Sequence, residues 1–182
     1  MTWNLDPAHS GLQFAVKHMV ISTVRGNFRD FEVDAEIDET NLANSRATVR
    51  IDAASMTTGN ADRDAHLRSA DFFDVEAHPT IEFASRGIER RGGGDYRITG
   101  DLTIRGVTRT VVLDGEMQGP VKDPWGGLRF GLSATGKLNR KEFGLSWNAA
   151  LEAGGFVVGD EVKLTIEAEL VKATSAELVA TT

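Results

Sequence analysis

Arg63, Asp64 and His66 stand within four positions of one another and are residue types that acid/base chemistry uses. Ser10 directly follows His9, a hydroxyl beside a base. Within a helix, however, Asp64 and His66 are two positions apart and point to different faces. Arg63 and Asp64 also have a structural use there: they can cap the helix and pair with loop backbone or with each other. The chain contains no nucleophile elbow and no glycine-rich phosphate loop. Metal chemistry would draw on His9, His18, His66 and His78, the only histidines, which show neither HxH nor HExxH spacing. Distant histidines can converge, so enzyme and metal-site readings both stay open, and no residue is designated catalytic or metal-binding.

Most of these groups lie in the stretch Ser55 to Phe83, where a strand pattern breaks off, a helical one intervenes and the strand pattern resumes. Before it, Ala47, Val49, Ile51 and Ala53 alternate with polar neighbours, the period of two of a half-buried strand. After it, Ile81 and Phe83 alternate with Glu82 and Ala84. Thr57-Thr58-Gly59 ends the first strand, and Asn60 is an N-cap for a short helix through Ser69. Asp62 and Asp64 complement the dipole in its first turn, and Arg68 does so near its end. Ala65, Leu67, Phe72 and Phe73 then supply apolar surface that fits over the open mouth of a β-structure.

The remaining strands repeat the alternation. Leu12, Phe14, Val16 and His18 share a face; so do Phe31, Val33, Ala35 and Ile37; so do Tyr96, Ile98, Gly100, Leu102 and Ile104. Val111, Leu113, Gly115 and Met117 follow, then Phe130, Leu132, Ala134 and Gly136, then Val162, Leu164, Ile166, Ala168 and Leu170. Trp3 and Leu5 open a short strand. Met19 to Val24 is apolar without alternation and reads as a bend, a bulge or a helical turn. Gly92 to Asp95 is a hairpin signal, and Gly106 turns the chain again. The pattern predicts an all-β fold: a single eight-stranded antiparallel up-and-down barrel with a short helical cap between strands, preferred over a sandwich because closure removes long edges. One domain spans residues 1–173, with a frayed tail at 174–182.

Composition narrows the function. The 182 residues are 41% hydrophobic and 26% charged, enough for a substantial core. Without cysteine, disulfide and thiolate chemistry is excluded. The net charge of −7 and the lack of a basic stripe argue against nucleic acid as a partner. No apolar run is long enough for a membrane span, and no leader segment is visible, so the expected location is the cytoplasm.

The inward faces carry many small residues, among them Ala35, Ala47, Ala53, Gly100, Gly115, Ala134, Gly136 and Ala168. Interiors pack to crystal-like density, so small residues scattered among Phe14, Val16, Phe28, Val49, Ile51, Phe83, Leu102, Phe130 and Leu132 predict a slot left open. The alternative is that large neighbours close those gaps. The same face turns polar towards its ends, at His18, Ser55 and Ser85, as a lipid with a small polar head requires. The helical segment adds Arg63, Asp64, His66, Leu67 and Phe72 at the expected mouth. Trp147 and Phe156 lie in a glycine-rich loop that reads either as a lid over that mouth or, with Trp125, as a partner surface.

Beyond these patterns, the run Trp3, Asp6, His9-Ser10, Phe14, His18, Gly26, Phe28 resembles the opening signature of the YceI-like proteins. Ser55, Thr57-Thr58, Arg63-Asp64, His66-Leu67, Phe72-Phe73, Pro79 and Phe83 resemble it further, as do Gly100 to Thr108, Asn139-Arg140, Phe143-Gly144 and Gly159-Asp160 with Val162. The resemblance runs in order along nearly the whole chain. It implies a lipocalin-like extended barrel whose interior binds a polyisoprenoid or another long-chain amphiphile such as a fatty-acyl lipid, with the head group at the helical mouth. It also implies no cofactor beyond that lipid, peripheral membrane contact for lipid exchange, and a homodimer as in some members. Many members are periplasmic and carry a secretion signal. The resulting expectation is a non-catalytic carrier. The competing expectations are an enzyme or metal protein using Arg63, Asp64 and His66, or an interaction module without a ligand.

Overall fold

The computed structural model describes residues 3–173; the expected C-terminal tail at 174–182 lies outside them. Eleven strands and one helix follow in the order β1 (Trp3–Leu5), β2 (Gly11–His18), β3 (Ser22–Phe28), β4 (Phe31–Glu36), β5 (Arg46–Asp52), β6 (Met56–Thr57), α1 (Ala61–Arg68), β7 (Thr80–Gly92), β8 (Asp95–Ile104), β9 (Val107–Lys122), β10 (Leu128–Asn139) and β11 (Val158–Lys172). The expectation of eight strands therefore needs correction. The unalternating segment after His18 is a hairpin turn leading into β3, and β6 is a two-residue strand after Ser55.

All strands join one antiparallel sheet in the order β4-β5-β7-β8-β9-β10-β11-β2-β3-β6, with β1 paired to β11. Apart from the short β6, this is an up-and-down meander in which β11 and β2 bring the two ends of the chain together. The sheet curls into a half-barrel. Its ladder stops at β4 on one side and β6 on the other, so hydrogen bonding does not close the circle; β1 packs beside β4 instead.

Short turns enforce the meander. Between β8 and β9, Arg105 and Gly106 both take positive φ, 50° and 72°, the geometry whose twist matches that of paired strands. The expected hairpin at Gly92–Asp95 forms between β7 and β8. The inward sets bury as their alternation requires: Tyr96, Ile98, Leu102 and Ile104 on β8, and Val111, Leu113 and Met117 on β9, are all under one-tenth exposed. They divide into a core around Trp3, Phe130 and Leu170 and another around Phe72, Leu102 and Phe143 near α1, with Phe83 packed against both.

Helix α1 begins where Asn60 caps it, its side chain accepting from the Arg63 N–H at 2.9 Å. At its other end, Arg68 donates to the carbonyls of Ala54 (2.9 Å) and Met56 (2.6 Å), tying the helix to the entry of β6. The helix is thereby fixed over one end of the half-barrel.

Candidate ligand cavity

The interior encloses a cavity of about 170 Å³ whose exposed wall is apolar throughout. Of the expected contacts, Phe14 and Phe28 line it from β2 and β3, Val49 and Ile51 from β5, Phe83 and Ser85 from β7, and Phe130 and Leu132 from β10. The Ser85 hydroxyl accepts from the Ala47 N–H at 2.9 Å, so its polar atom is satisfied within the wall. Val33, Ala35, Ile98, Leu113 and Met117 also line the cavity, as do Leu164, Ile166, Ala168 and Leu170 of β11. Each belongs to an inward set that the alternation had identified; what the sequence lacked was which inward residues face space and which face each other.

A second chamber of about 430 Å³ lies under α1 at the end of the sheet. Val16, His18, Arg63, His66, Leu67, Phe72 and Trp147 line it as expected, and Lys17, Val24, Asp62, Val157 and Val158 complete it. This vestibule mixes an apolar floor with the charged groups of Lys17, Asp62 and Arg63. The His66 ring stands edge-on to Phe72 and Trp147, with centroids 5.1 and 4.7 Å away, and its Nε2 lies 2.9 Å from Asp71. Trp147 is held by the buried Arg140, whose guanidinium donates to the carbonyls of Leu145 (2.5 Å), Trp147 (2.9 Å) and Gly159 (2.8 Å). Desolvation lowers the pKa of Arg140 from its ordinary value.

Five expected contacts line neither chamber. Leu102 is buried in the core near α1. Ala134 is 1% exposed because it packs on Gly115 of β9, where even a Cβ would fall 2.8 Å from the alanine methyl. The Ser55 hydroxyl donates to the Asp52 carbonyl at 2.7 Å and accepts from the Arg29 N–H, bracing a corner. Phe156 is 57% exposed, outside the mouth rather than over it. Asp64 is buried and accepts from the hydroxyls of Thr57 (2.8 Å) and Thr58 (2.5 Å) and from the Thr58 N–H (2.8 Å). Burial opposes its ionisation, but these donors, with Arg68 nearby, hold its pKa below the usual carboxylate value. Arg63 donates to the hydroxyl and carbonyl of Thr58. Arg63 and Asp64 thus fasten the helix to the loop before it, the structural use weighed for them above.

The small inward residues make room differently from the expectation. A Cβ at Gly26 would fall 2.3 Å from the Phe14 ring, at Gly100 2.4 Å from the Phe83 ring, and at Gly136 2.6 Å from Leu113. Gly26 sits opposite Phe14 and Gly136 opposite Leu113 on the adjacent strand, whereas Gly100, opposite Ser85, lies diagonal to Phe83. The glycines are therefore filled, as the alternative had it, by neighbours lying flat on the strand. Large side chains pressed to the wall leave the lumen free.

Away from the cavity, Asp6, His9 and Glu169 bring potential ligand atoms within 4.8 Å of one another. Arg129 already occupies that group: it donates to Asp6 at 3.0 Å, to Asp123 at 2.9 Å and to Glu169. Hydrogen bonds from His9 and Arg129 lower the Asp6 pKa from 3.8 to about 2, and Asp6 in turn raises that of His9. The four histidines do not meet: His18 and His66 share the vestibule, His9 belongs to this surface cluster, and His78 lies beside Gly106. Among the described residues, no helix is long and apolar enough to cross a membrane.

Comparison with known proteins agrees with this architecture. A UPF0312 protein of Staphylococcus epidermidis is 38% identical over 168 residues, covering 92% of this chain and 95% of its own. The crystal structure of Burkholderia cenocepacia BcnA superposes with a TM-score of 0.80 at 24% identity, covering 94% of this chain and all of that one. A polyisoprenoid binding domain from Saccharophagus degradans superposes with a TM-score of 0.66 at 15% identity, covering 92% and 97%. The model of the YceI-like domain matches residues 3–170. Matched by that model over nearly all its length, this chain belongs to the YceI-like family.

Proposed function

We propose that the protein is a non-catalytic carrier that holds an isoprenoid or other long-chain amphiphile, with its tail in the inner cavity and its polar head in the vestibule. The observation that carries this reading is the interior space of about 170 Å³, apolar over its whole exposed wall, beside a second chamber bearing Lys17, His18, Arg63 and His66. Its polar lining residues, Gln13, Ser45, Arg46 and Ser85, expose no polar atom to the space, which suits a hydrocarbon chain. An apolar cavity of about 150 Å³ holds one benzene, so the inner cavity takes on the order of half a dozen methylenes. Burying them is worth about 0.8 kcal/mol each, roughly 5 kcal/mol in all. Association costs about 4–15 kcal/mol, so the inner cavity alone roughly breaks even and a chain must reach the vestibule to bind firmly.

Asp64, a candidate carboxylate for acid/base chemistry, is committed to Thr57 and Thr58 and lines neither chamber, which favours the carrier. Loading would take place at a membrane surface. Met19, Val20 and Ile21, at 42, 69 and 83% exposed, form the tip of the β2–β3 hairpin beside the vestibule residue His18. The loop carrying Gly155 approaches the same tip at Val20. A projecting apolar tip of this kind suits the interface of a bilayer.

The test is organic extraction of the purified protein followed by mass spectrometry, then uptake of lipid by the stripped protein. The reading expects a long-chain lipid in near-stoichiometric amount and its recovery on re-exposure. Lipid-free protein that takes up none, or turnover of a substrate that is lost in Asp64→Asn, would contradict it.

A further inference from the structure

We infer that Gly26 and Phe14 together set the chain length this protein accepts, by deciding whether the inner cavity and the vestibule act as one tunnel. The inference rests on the carrier reading above. Among the described residues, Phe14 is the only side chain shared by the walls of both chambers. It therefore stands at their junction, and a chain too long for the inner cavity must pass it.

What holds the ring aside is the absence of a side chain opposite. Phe14 pairs directly with Gly26 across β2 and β3. A Cβ on Gly26 would lie 2.3 Å from the ring's Cζ and 2.7 Å from its Cε1, far inside contact distance. The ring thus lies on the glycine backbone, with Phe28 beside it at 5.7 Å and 50°. Gly26 does not take a positive φ, so its backbone alone would admit alanine. The requirement for glycine comes from the ring. An added methyl would meet only the far end of a side chain that can rotate, so it would lift the ring into the lumen at the junction rather than unfold the strand. The inner cavity would keep its volume and lose its connection.

Gly26→Ala and Phe14→Leu therefore have opposite effects on long chains. The experiment titrates each stripped protein with hexan-1-ol, which the inner cavity holds whole, and with the twenty-carbon geranylgeraniol, which it does not, read by isothermal titration calorimetry, with thermal unfolding as a folding control. Wild type is expected to bind both, the longer more tightly. Gly26→Ala should weaken geranylgeraniol by about tenfold or more while hexan-1-ol stays within about twofold. Phe14→Leu, which narrows the side chain at the junction, should bind geranylgeraniol at least as well as wild type. Equal weakening of both alcohols in Gly26→Ala, or none, overturns the inference and leaves the carrier reading standing. Wild type that binds neither alcohol overturns the carrier reading itself.

Discussion

Ala168 of β11 faces the inner cavity beside Leu132, whereas Ala134, one strand over and paired with Ile166, does not. Enlarging each to phenylalanine separates the use of space from the use of packing. A phenyl group at Ala168 fills about six methylene-sized places, on the order of the whole cavity. At about 0.8 kcal/mol each, that removes roughly 5 kcal/mol of ligand burial. With about 1.4 kcal/mol per tenfold, affinity for a long-chain alcohol should fall by about three orders of magnitude. Stability should change by no more than about 1–2 kcal/mol, since the ring enters free volume. Ala134 has no such volume, because Gly115 lies against it. Ala134→Phe should cost at least about 1–3 kcal/mol of folding stability through overpacking. The assay pairs geranylgeraniol titration with urea unfolding of both variants. If Ala168→Phe binds as tightly as wild type, or if the two substitutions affect stability alike, the assignment of free and filled space is wrong.

Other substitutions test the frame around the cavity. Asp64→Ala strands the Thr57 and Thr58 donors and should destabilise the protein by about 1–3 kcal/mol in chemical unfolding. Hydrogen bonds from His9 and Arg129 hold Asp6 ionised, so Asp6 contributes stability above its ordinary pKa of 3.8 that is lost as pH falls towards about 2. The acid side of the thermal midpoint against pH should accordingly be flatter in Arg129→Met. His9 works in the opposite sense: its pKa is raised, so its contribution is present below 6.5 and fades as pH climbs through the folded value. Val20→Glu with Ile21→Glu places charge on the hairpin tip and should slow lipid transfer between neutral vesicles by about tenfold or more while leaving solution affinity unchanged; unchanged transfer would place loading elsewhere.

The strands were legible because alternation is a local property: the inward set of β8, from Tyr96 to Ile104, can be read from eight or nine residues at a time. Helix α1 was legible for a similar reason, since Asn60 and the residues after it state its start within one turn. The strand count was not, because β3 follows a hairpin whose apolar tip, Met19 to Ile21, carries no alternation. The same locality limited the site. Inward facing was visible at Ala134, Leu102 and Ala168 alike, but whether an inward residue meets space or another side chain depends on cross-strand register. Gly26 opposite Phe14 and Gly136 opposite Leu113 are such pairs, and their partners lie a dozen or more positions away. Asp64 was ambiguous for the same reason: its carboxylate could serve chemistry or architecture until Thr57 and Thr58 were seen to bind it.

The central claim is that an apolar chain lies inside the half-barrel. A crystal structure of the stripped protein reloaded with a fatty alcohol brominated at its far end addresses it directly, through the anomalous signal of the bromine. The account predicts a peak in the inner cavity, among Phe83, Leu113 and Ile166. Bromine found only in the vestibule, or only on the outer surface, would contradict it.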